Sequence, residues 1–101
     1  MTSAWIIGVG STTFGRHPTL THRDLAEQAV TATLADAALA NVAAVGSVWF
    51  ASAMADYWGQ ALQRGQATLL PLMRRGVLPS RIPVVNVEAA CASGSAAFQS
   101  A

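Results

Sequence analysis

Three short apolar runs, separated by longer helical patterns, constrain the fold of this chain most. The runs cover residues 4–9, 45–51 and 84–87, and each has the length of a buried strand. The segments between them are too long for hairpin turns but long enough for a crossover helix. The sequence therefore predicts an α/β fold with the order βαβαβα, in which helices pack on a sheet of three mainly parallel strands.

The first connecting segment carries local signals of a helix. Thr21 suits the N-cap position, and Asp24 stands three residues later, where it can complete a capping box near the positive end of the helix dipole. Apolar residues then recur at three- and four-residue steps from Leu25, and Asn41 marks the predicted stop. We predict an amphipathic helix with one face on a core.

Glycine and proline bound the second predicted helix, and no stop signal follows the third. The second runs from about residue 59 to residue 75, with a kink or break at Pro71 and a C-terminal cap at Gly76. The third opens at Ala89 and continues in pattern to the last residue. We therefore expect residues 1–101 to be the front part of a larger domain.

Composition excludes several classes of function. Charged residues make up 11% of the 101 residues and hydrophobic ones 52%, so the chain can bury a core and is not disordered. The formal net charge is +1 and the six arginines are scattered, which argues against a nucleic-acid partner. No apolar run approaches the roughly 20 residues that span a bilayer. A single cysteine and the absence of a signal-peptide pattern lead us to expect a cytoplasmic protein.

Cys91 is the residue best placed for chemistry. It stands where the third apolar run passes into the third predicted helix. A side chain at a helix N-terminus faces unpaired backbone N–H groups and the positive end of the dipole, and both favour a thiolate. The same N–H groups can hydrogen-bond an oxyanion that develops on a bound carbonyl. We predict that Cys91 is a nucleophile, the alternative being a small buried hydrophobic residue.

The segment around Cys91 resembles the nucleophile segment of the thiolases. Residues 86–97 read Asn-Val-Glu-Ala-Ala-Cys-Ala-Ser-Gly-Ser-Ala-Ala, which is closest to the sterol-carrier-type and related thiolases of lipid metabolism. Ile-Ile-Gly-Val-Gly at residues 6–10, Thr-Phe-Gly-Arg at 13–16 and Asp-Leu-Ala at 24–26 also resemble that branch. The resemblance covers essentially the whole chain, in order.

The resemblance implies an acyltransferase of the thiolase type (acetyl-CoA acetyltransferase). Cys91 would accept an acyl group from a 3-ketoacyl-CoA and pass it to coenzyme A, and its backbone N–H would contribute to an oxyanion hole. Coenzyme A thioesters would be substrates, with no permanently bound cofactor and no metal. The complete protein would be a homodimer that pairs through the strand of residues 83–88, which begins at Pro83 and ends at Glu88.

The chain also departs from the thiolase pattern. The family's sheet has five strands in this half, and a second half supplies an activating histidine and a Cys-x-Gly segment, none of which is found here. The resemblance therefore implies an incomplete N-terminal half of the thiolase fold. We expect the chain to be inactive by itself.

Four other interpretations remain open on the sequence alone. One is a non-catalytic α/β interaction module in which Cys91 is structural, and another is a relative of the ketoacyl synthases. A third is a Cys–His hydrolase that uses His17 or His22 as the base, which would require a ring nitrogen within about 3 Å of the thiol. The fourth is a dinucleotide site at Gly8 and Gly10, although the third glycine of that fingerprint is missing.

Two further groups of residues have open roles. Met54, Tyr57 and Trp58 follow the second apolar run, where they would either line a lipophilic acyl channel or pack in a core or interface. Glu88 directly follows the third run. It would be either a partner of a polar group near Cys91 or a surface residue at a strand end.

Overall fold

The computed structural model describes residues 2–39 and 41–101, in which it contains three α-helices and two strands. In chain order they are α1 (His22–Asp36), β1 (Val48–Ala51), α2 (Arg64–Arg74), β2 (Val84–Val87) and α3 (Ser93–Ser100). Short 3-10 turns cover Val42–Ala44 and Ala90–Ala92. The chain divides into two units, Met1–Val42 and Ala43–Ala101. Among the helices of the described residues, none has the length and apolar character needed to cross a membrane.

Helix α1 of the first unit begins with the predicted capping box. The Thr21 hydroxyl accepts the Asp24 N–H at 3.2 Å, and the Asp24 carboxylate accepts the Thr21 N–H at 2.8 Å. The hydrogen bond from the Thr21 N–H, followed by that from its hydroxyl, lowers the pKa of Asp24 from its usual value of 3.8. The helix ends at Asp36, short of the predicted stop at Asn41, because Ala38 adopts a left-handed conformation with φ 48°.

The predicted apolar face of α1 is less buried than expected, since no residue of this helix is fully buried. Leu25, Ala29 and Leu34 are each only half-buried. Much of the predicted face is alanine, whose small side chain covers little surface. The N-terminal segment contacts the helix through glycine, because a Cβ atom at Gly8 would lie 2.7 Å from the Cβ of Ala37. The backbone of the N-terminal segment therefore packs directly on α1, and few side chains are buried between them.

Residues 4–9 do not form the first predicted strand, so the sheet has two strands rather than three. The bulky side chains of this segment are exposed, by 84% for Trp5 and 67% for Val9. A strand needs a neighbouring strand that pairs its N–H and C=O groups. Here the Val9 N–H instead donates to the carboxylate of Asp36, at 2.9 Å. The prediction of a buried strand at residues 4–9 is therefore wrong.

The parallel α/β arrangement is confirmed in the second unit. Strands β1 and β2 are parallel neighbours, with Val48 opposite Val84 and Phe50 opposite Asn86. Strand β2 covers the predicted residues 84–87, whereas β1 begins at Val48, three residues later than predicted. The connection between the strands runs through α2, as expected for a crossover.

Helix α2 is shorter at its start than predicted. Gly59, with φ 93°, belongs to a turn, and the helix begins only at Arg64. Pro71 lies inside the helix without dividing it. Only the last turn follows this proline, and its carbonyl still accepts the Arg75 N–H, at 3.2 Å.

The predicted cap at Gly76 is confirmed. Gly76 has φ 72°, a conformation that costs glycine nothing but is unfavourable for other residues. Its N–H donates to the Met73 carbonyl at 3.2 Å, and the Val77 N–H donates to the Leu72 carbonyl at 2.9 Å. This pair of hydrogen bonds is the Schellman motif, which satisfies carbonyls at the end of α2.

The core of the second unit lies where α2 meets the sheet. A Cβ atom at Gly65 would lie 2.7 Å from the Cβ of Phe50 and 2.7 Å from a methyl group of Val84, so the helix approaches the strands as closely as glycine allows. Helix α3 also contacts both strands. The buried apolar residues are Ala55, Leu69, Leu72, Leu78 and Ala97.

Candidate functional site

Cys91 lies at the edge of the sheet where both parallel strands end. Ser52 follows the last residue of β1, and its N–H donates to the Val87 carbonyl at the end of β2, at 3.3 Å. Cys91 stands in the turn between β2 and α3. Loops at the carboxyl ends of parallel strands are where ligands of open α/β sheets bind. The thiol is exposed, so it is not the buried hydrophobic residue of the alternative interpretation.

The turn that presents Cys91 has an unusual backbone conformation. It is a 3-10 turn, Ala90–Ala92, and regular α-helix begins only at Ser93, later than predicted. Ala90 has φ 50°. Residues with a Cβ atom rarely adopt this left-handed conformation, which brings the Cβ close to the following carbonyl oxygen. Surrounding hydrogen bonds must therefore hold Ala90 in place.

Two polar side chains make those hydrogen bonds. The hydroxyl of Ser93, a buried residue, accepts the Ala89 N–H at 2.8 Å and donates to the Ala90 carbonyl at 2.7 Å. The carboxylate of Glu88 accepts the Ala90 N–H at 2.6 Å. Glu88 is thus a partner of a backbone group beside Cys91, one of the two roles that the sequence left open for it.

One backbone N–H group of this turn remains without a hydrogen-bond partner in the described chain. The Ala92 N–H donates to the Ala89 carbonyl at 3.0 Å, and the Ser93 N–H donates to the Ala90 carbonyl. The Ala89 N–H is bound by Ser93 and the Ala90 N–H by Glu88. Among the backbone N–H groups of residues 89–93, only the Cys91 N–H has no hydrogen-bond partner in the described chain. An exposed thiol and an unused N–H therefore belong to the same residue.

An amide network anchors β2 just before this turn. Gln63 precedes α2 in a left-handed conformation, and its side chain does not cap the helix. The Asn86 side chain on β2 replaces the cap: its oxygen accepts the Gly65 N–H at 2.7 Å, and its nitrogen donates to the Gln66 side chain at 2.8 Å. An amide side chain within an otherwise apolar strand is the sequence signal for this role, which was not predicted.

Arg64 brings a positive charge to the same edge of the sheet. One guanidinium nitrogen donates to the Ser52 carbonyl at 2.7 Å, so the side chain reaches the chain just beyond β1. The sequence does not predict this role, because a helix that began at about residue 59 would place Arg64 in its interior and not at its first residue.

The aromatic residues after β1 are exposed. Tyr57 is 73% exposed and Trp58 63%, and their rings meet edge to face with centroids 4.7 Å apart. Met54 is 58% exposed. These residues therefore do not pack in a core of the chain, and the prediction that they line an acyl channel stays a prediction.

The two histidines belong to the first unit, and the unit that contains Cys91 has none. A ring nitrogen of His17 lies 2.7 Å from the Thr13 carbonyl, and His22 is the first residue of α1. Gly10, like Gly8, packs against α1, because a Cβ atom there would lie 2.6 Å from the backbone nitrogen of Thr33. Close packing thus accounts for both glycines. The described residues contain no group of three or more side chains suited to hold a metal ion.

Comparison with known proteins adds no further constraint. The chain matches no model of a protein family, no curated protein and no solved structure. The resemblance to thiolases therefore stays a prediction from the motifs, and the geometry around Cys91 is the basis for assigning a function.

Proposed function

We propose that this chain is the N-terminal part of a thiolase-type acyltransferase in which Cys91 carries the acyl group. The observation that carries the proposal is the pairing, within one residue, of an exposed thiol and an unused backbone N–H. A thiolate that attacks a carbonyl needs a donor for the oxygen that becomes negative. The resemblance of residues 86–97 to the thiolase nucleophile segment supports the same assignment.

The reaction proceeds in two acyl transfers. The Cys91 thiolate attacks the keto carbon of a 3-ketoacyl-CoA, and the Cys91 N–H hydrogen-bonds the oxygen that becomes negative. The bond between the keto carbon and its neighbour then breaks, which leaves an acyl-cysteine and the carbanion of acetyl-CoA, and the carbanion takes up a proton. Coenzyme A thiolate finally attacks the acyl-cysteine, so that acyl-CoA leaves and the Cys91 thiolate is restored.

The remaining properties follow from the same proposal. The acid and base for these proton transfers lie in the second half that the resemblance implies, so the chain does not turn over by itself. Coenzyme A thioesters are the substrates, no cofactor stays bound, and the complete protein is a cytoplasmic homodimer that pairs through residues 83–88. Bulky apolar side chains that remain exposed support the view that further chain covers them. They include Trp5, Phe14, Leu62 and Phe98.

The test is whether Cys91 accepts a single acyl group. Turnover needs the missing acid and base, but a single acylation needs only a thiolate. Incubation of the chain with acetyl-CoA at about pH 9, where free thiols ionise without a neighbouring base, is therefore expected to add one acetyl group by intact-protein mass spectrometry, and neutral hydroxylamine, which cleaves thioesters, is expected to remove it. The Cys91→Ala variant is the control and should stay unmodified. A folded chain whose thiol reacts with iodoacetamide but takes no acetyl group would contradict the proposal.

A further inference from the structure

Ser93 is buried, although it stands at the start of a helix, where a serine is usually exposed to solvent. It is the first residue of α3, yet the residue is only 5% exposed. Its hydroxyl uses both of its hydrogen-bonding roles on the backbone just before Cys91, accepting the Ala89 N–H and donating to the Ala90 carbonyl. The hydroxyl therefore bridges the two peptide groups that lead into the nucleophile.

The bond to the Ala90 carbonyl determines where the Cys91 N–H points. That carbonyl and that N–H belong to the same peptide group, which is planar and trans, so the two point in opposite directions. The carbonyl is held by both the hydroxyl and the N–H of Ser93. The Cys91 N–H is thereby directed away from the first turn of α3, and it finds no partner within the described chain.

The left-handed conformation of Ala90 shows that this orientation is imposed. An alanine does not prefer φ 50°, so without the hydrogen bonds the backbone would relax to a right-handed or extended form and rotate the peptide of Cys91. Glu88 holds only the N–H side of Ala90. Of the two side chains, Ser93 alone contacts the carbonyl that belongs to the Cys91 peptide.

We propose that Ser93 is a positioning residue, whose buried hydroxyl fixes the Cys91 peptide so that its N–H meets the oxyanion formed during acyl transfer. This inference rests on the proposed function and deepens it. Ser93 touches neither the thiol nor the substrate in this role and acts through the Ala90–Cys91 peptide bond.

Two reactions of the same thiol separate positioning from general reactivity. With p-nitrophenyl acetate, the thiolate attacks the acetyl carbonyl, a carbon–sulfur bond forms, and p-nitrophenolate leaves with the electron pair of the broken carbon–oxygen bond. This route passes through an oxyanion. With iodoacetamide, the thiolate displaces iodide from a saturated carbon and no oxyanion forms. The ratio of the two rate constants therefore reports the oxyanion donor and not the thiol's ionisation or exposure.

Ser93→Ala is expected to lower this ratio about tenfold or more, because a misdirected N–H no longer stabilises the oxyanion. Ser95→Ala is the matched control: the same substitution at an exposed serine of the same helix turn should leave the ratio unchanged. Ser93→Thr keeps the hydroxyl and should retain most of the ratio. An unchanged ratio in a folded Ser93→Ala variant would overturn the inference while leaving the proposed function intact.

Two further results also decide the inference: a Ser93→Ala variant that does not fold, and an unsubstituted chain that is not acylated. If Ser93→Ala does not fold, Ala90→Gly is compared with Ala90→Gly/Ser93→Ala, since glycine adopts a positive φ without strain. Because glycine at position 90 no longer drives the peptide out of place, the fall between these two should be smaller than tenfold. A measurable fall supports the inference, and equal ratios overturn it. If the unsubstituted chain is alkylated by iodoacetamide but not acylated by the ester, the proposed function fails and the inference fails with it.

Discussion

At the scale of single residues, the second unit contains one buried side-chain hydroxyl that makes no hydrogen bond with the described residues. Thr68 on α2 is 3% exposed, and its hydroxyl has no hydrogen-bond partner among the described residues. Valine has nearly the same shape and a similar helix propensity. Because an unpaired buried hydroxyl destabilises the folded state, Thr68→Val is expected to raise the free energy of unfolding by about 1 kcal/mol.

Urea unfolding followed by circular dichroism would measure this change. Thr33→Val is the matched control, since the Thr33 hydroxyl donates to the Ala29 carbonyl at 2.7 Å, and its removal should not stabilise the chain. If Thr68→Val proves no more stable than the unsubstituted chain, the hydroxyl must have a partner in solution.

The same scale shows why part of the site was predictable and part was not. The location of Cys91 follows from neighbours in sequence, because an apolar strand pattern directly precedes it and a helix pattern follows. The roles of Glu88 and Ser93 depend on the left-handed conformation of Ala90. Alanine gives no sequence signal for such a conformation, so these two roles required the structure.

At the scale of elements, the start of α2 depends on a residue distant in sequence. The Asn86 side chain accepts the Gly65 N–H, and no side chain of the helix's own N-cap residue does so. Asn86→Ala removes the cap and leaves a partly buried donor unpaired, so it is expected to lower the free energy of unfolding by about 2 kcal/mol.

Asn86→Asp is the matched variant for this cap. It keeps an oxygen for Gly65 and loses only the donor to the Gln66 side chain, so it should be less destabilising than alanine. Urea unfolding of both variants provides the comparison. Equal losses for alanine and aspartate would show that the cap itself contributes little.

The elements that were predicted correctly are those with local signals. The capping box at Thr21 and the Schellman motif at Gly76 each involve residues within a few positions of one another. The elements that were predicted wrongly depend on distant partners. Residues 4–9 have a strand's composition but no strand beside them, and α2 begins where Asn86 caps it, which no pattern within residues 59–75 reveals.

At the scale of the whole molecule, exposed apolar side chains and a proposed pairing strand predict two kinds of self-association. Met54 and Leu62, in the loop after β1, are 58% and 78% exposed. Contacts through such side chains are nonspecific and grow with concentration. Pairing through residues 83–88 would instead use backbone groups at a sheet edge and stop at a dimer.

The double variant Met54→Gln/Leu62→Gln separates the two. Because both side chains are largely exposed, its free energy of unfolding should change by less than about 0.5 kcal/mol per substitution, while association beyond the dimer should fall. Sedimentation velocity over a range of concentrations would measure this, with the unsubstituted chain as the reference. A variant that is entirely monomeric would show that residues 83–88 do not pair in this chain without the rest of the protein, because neither substitution lies in β2. A variant that still forms large assemblies would show that another apolar surface, not the loop after β1, causes them.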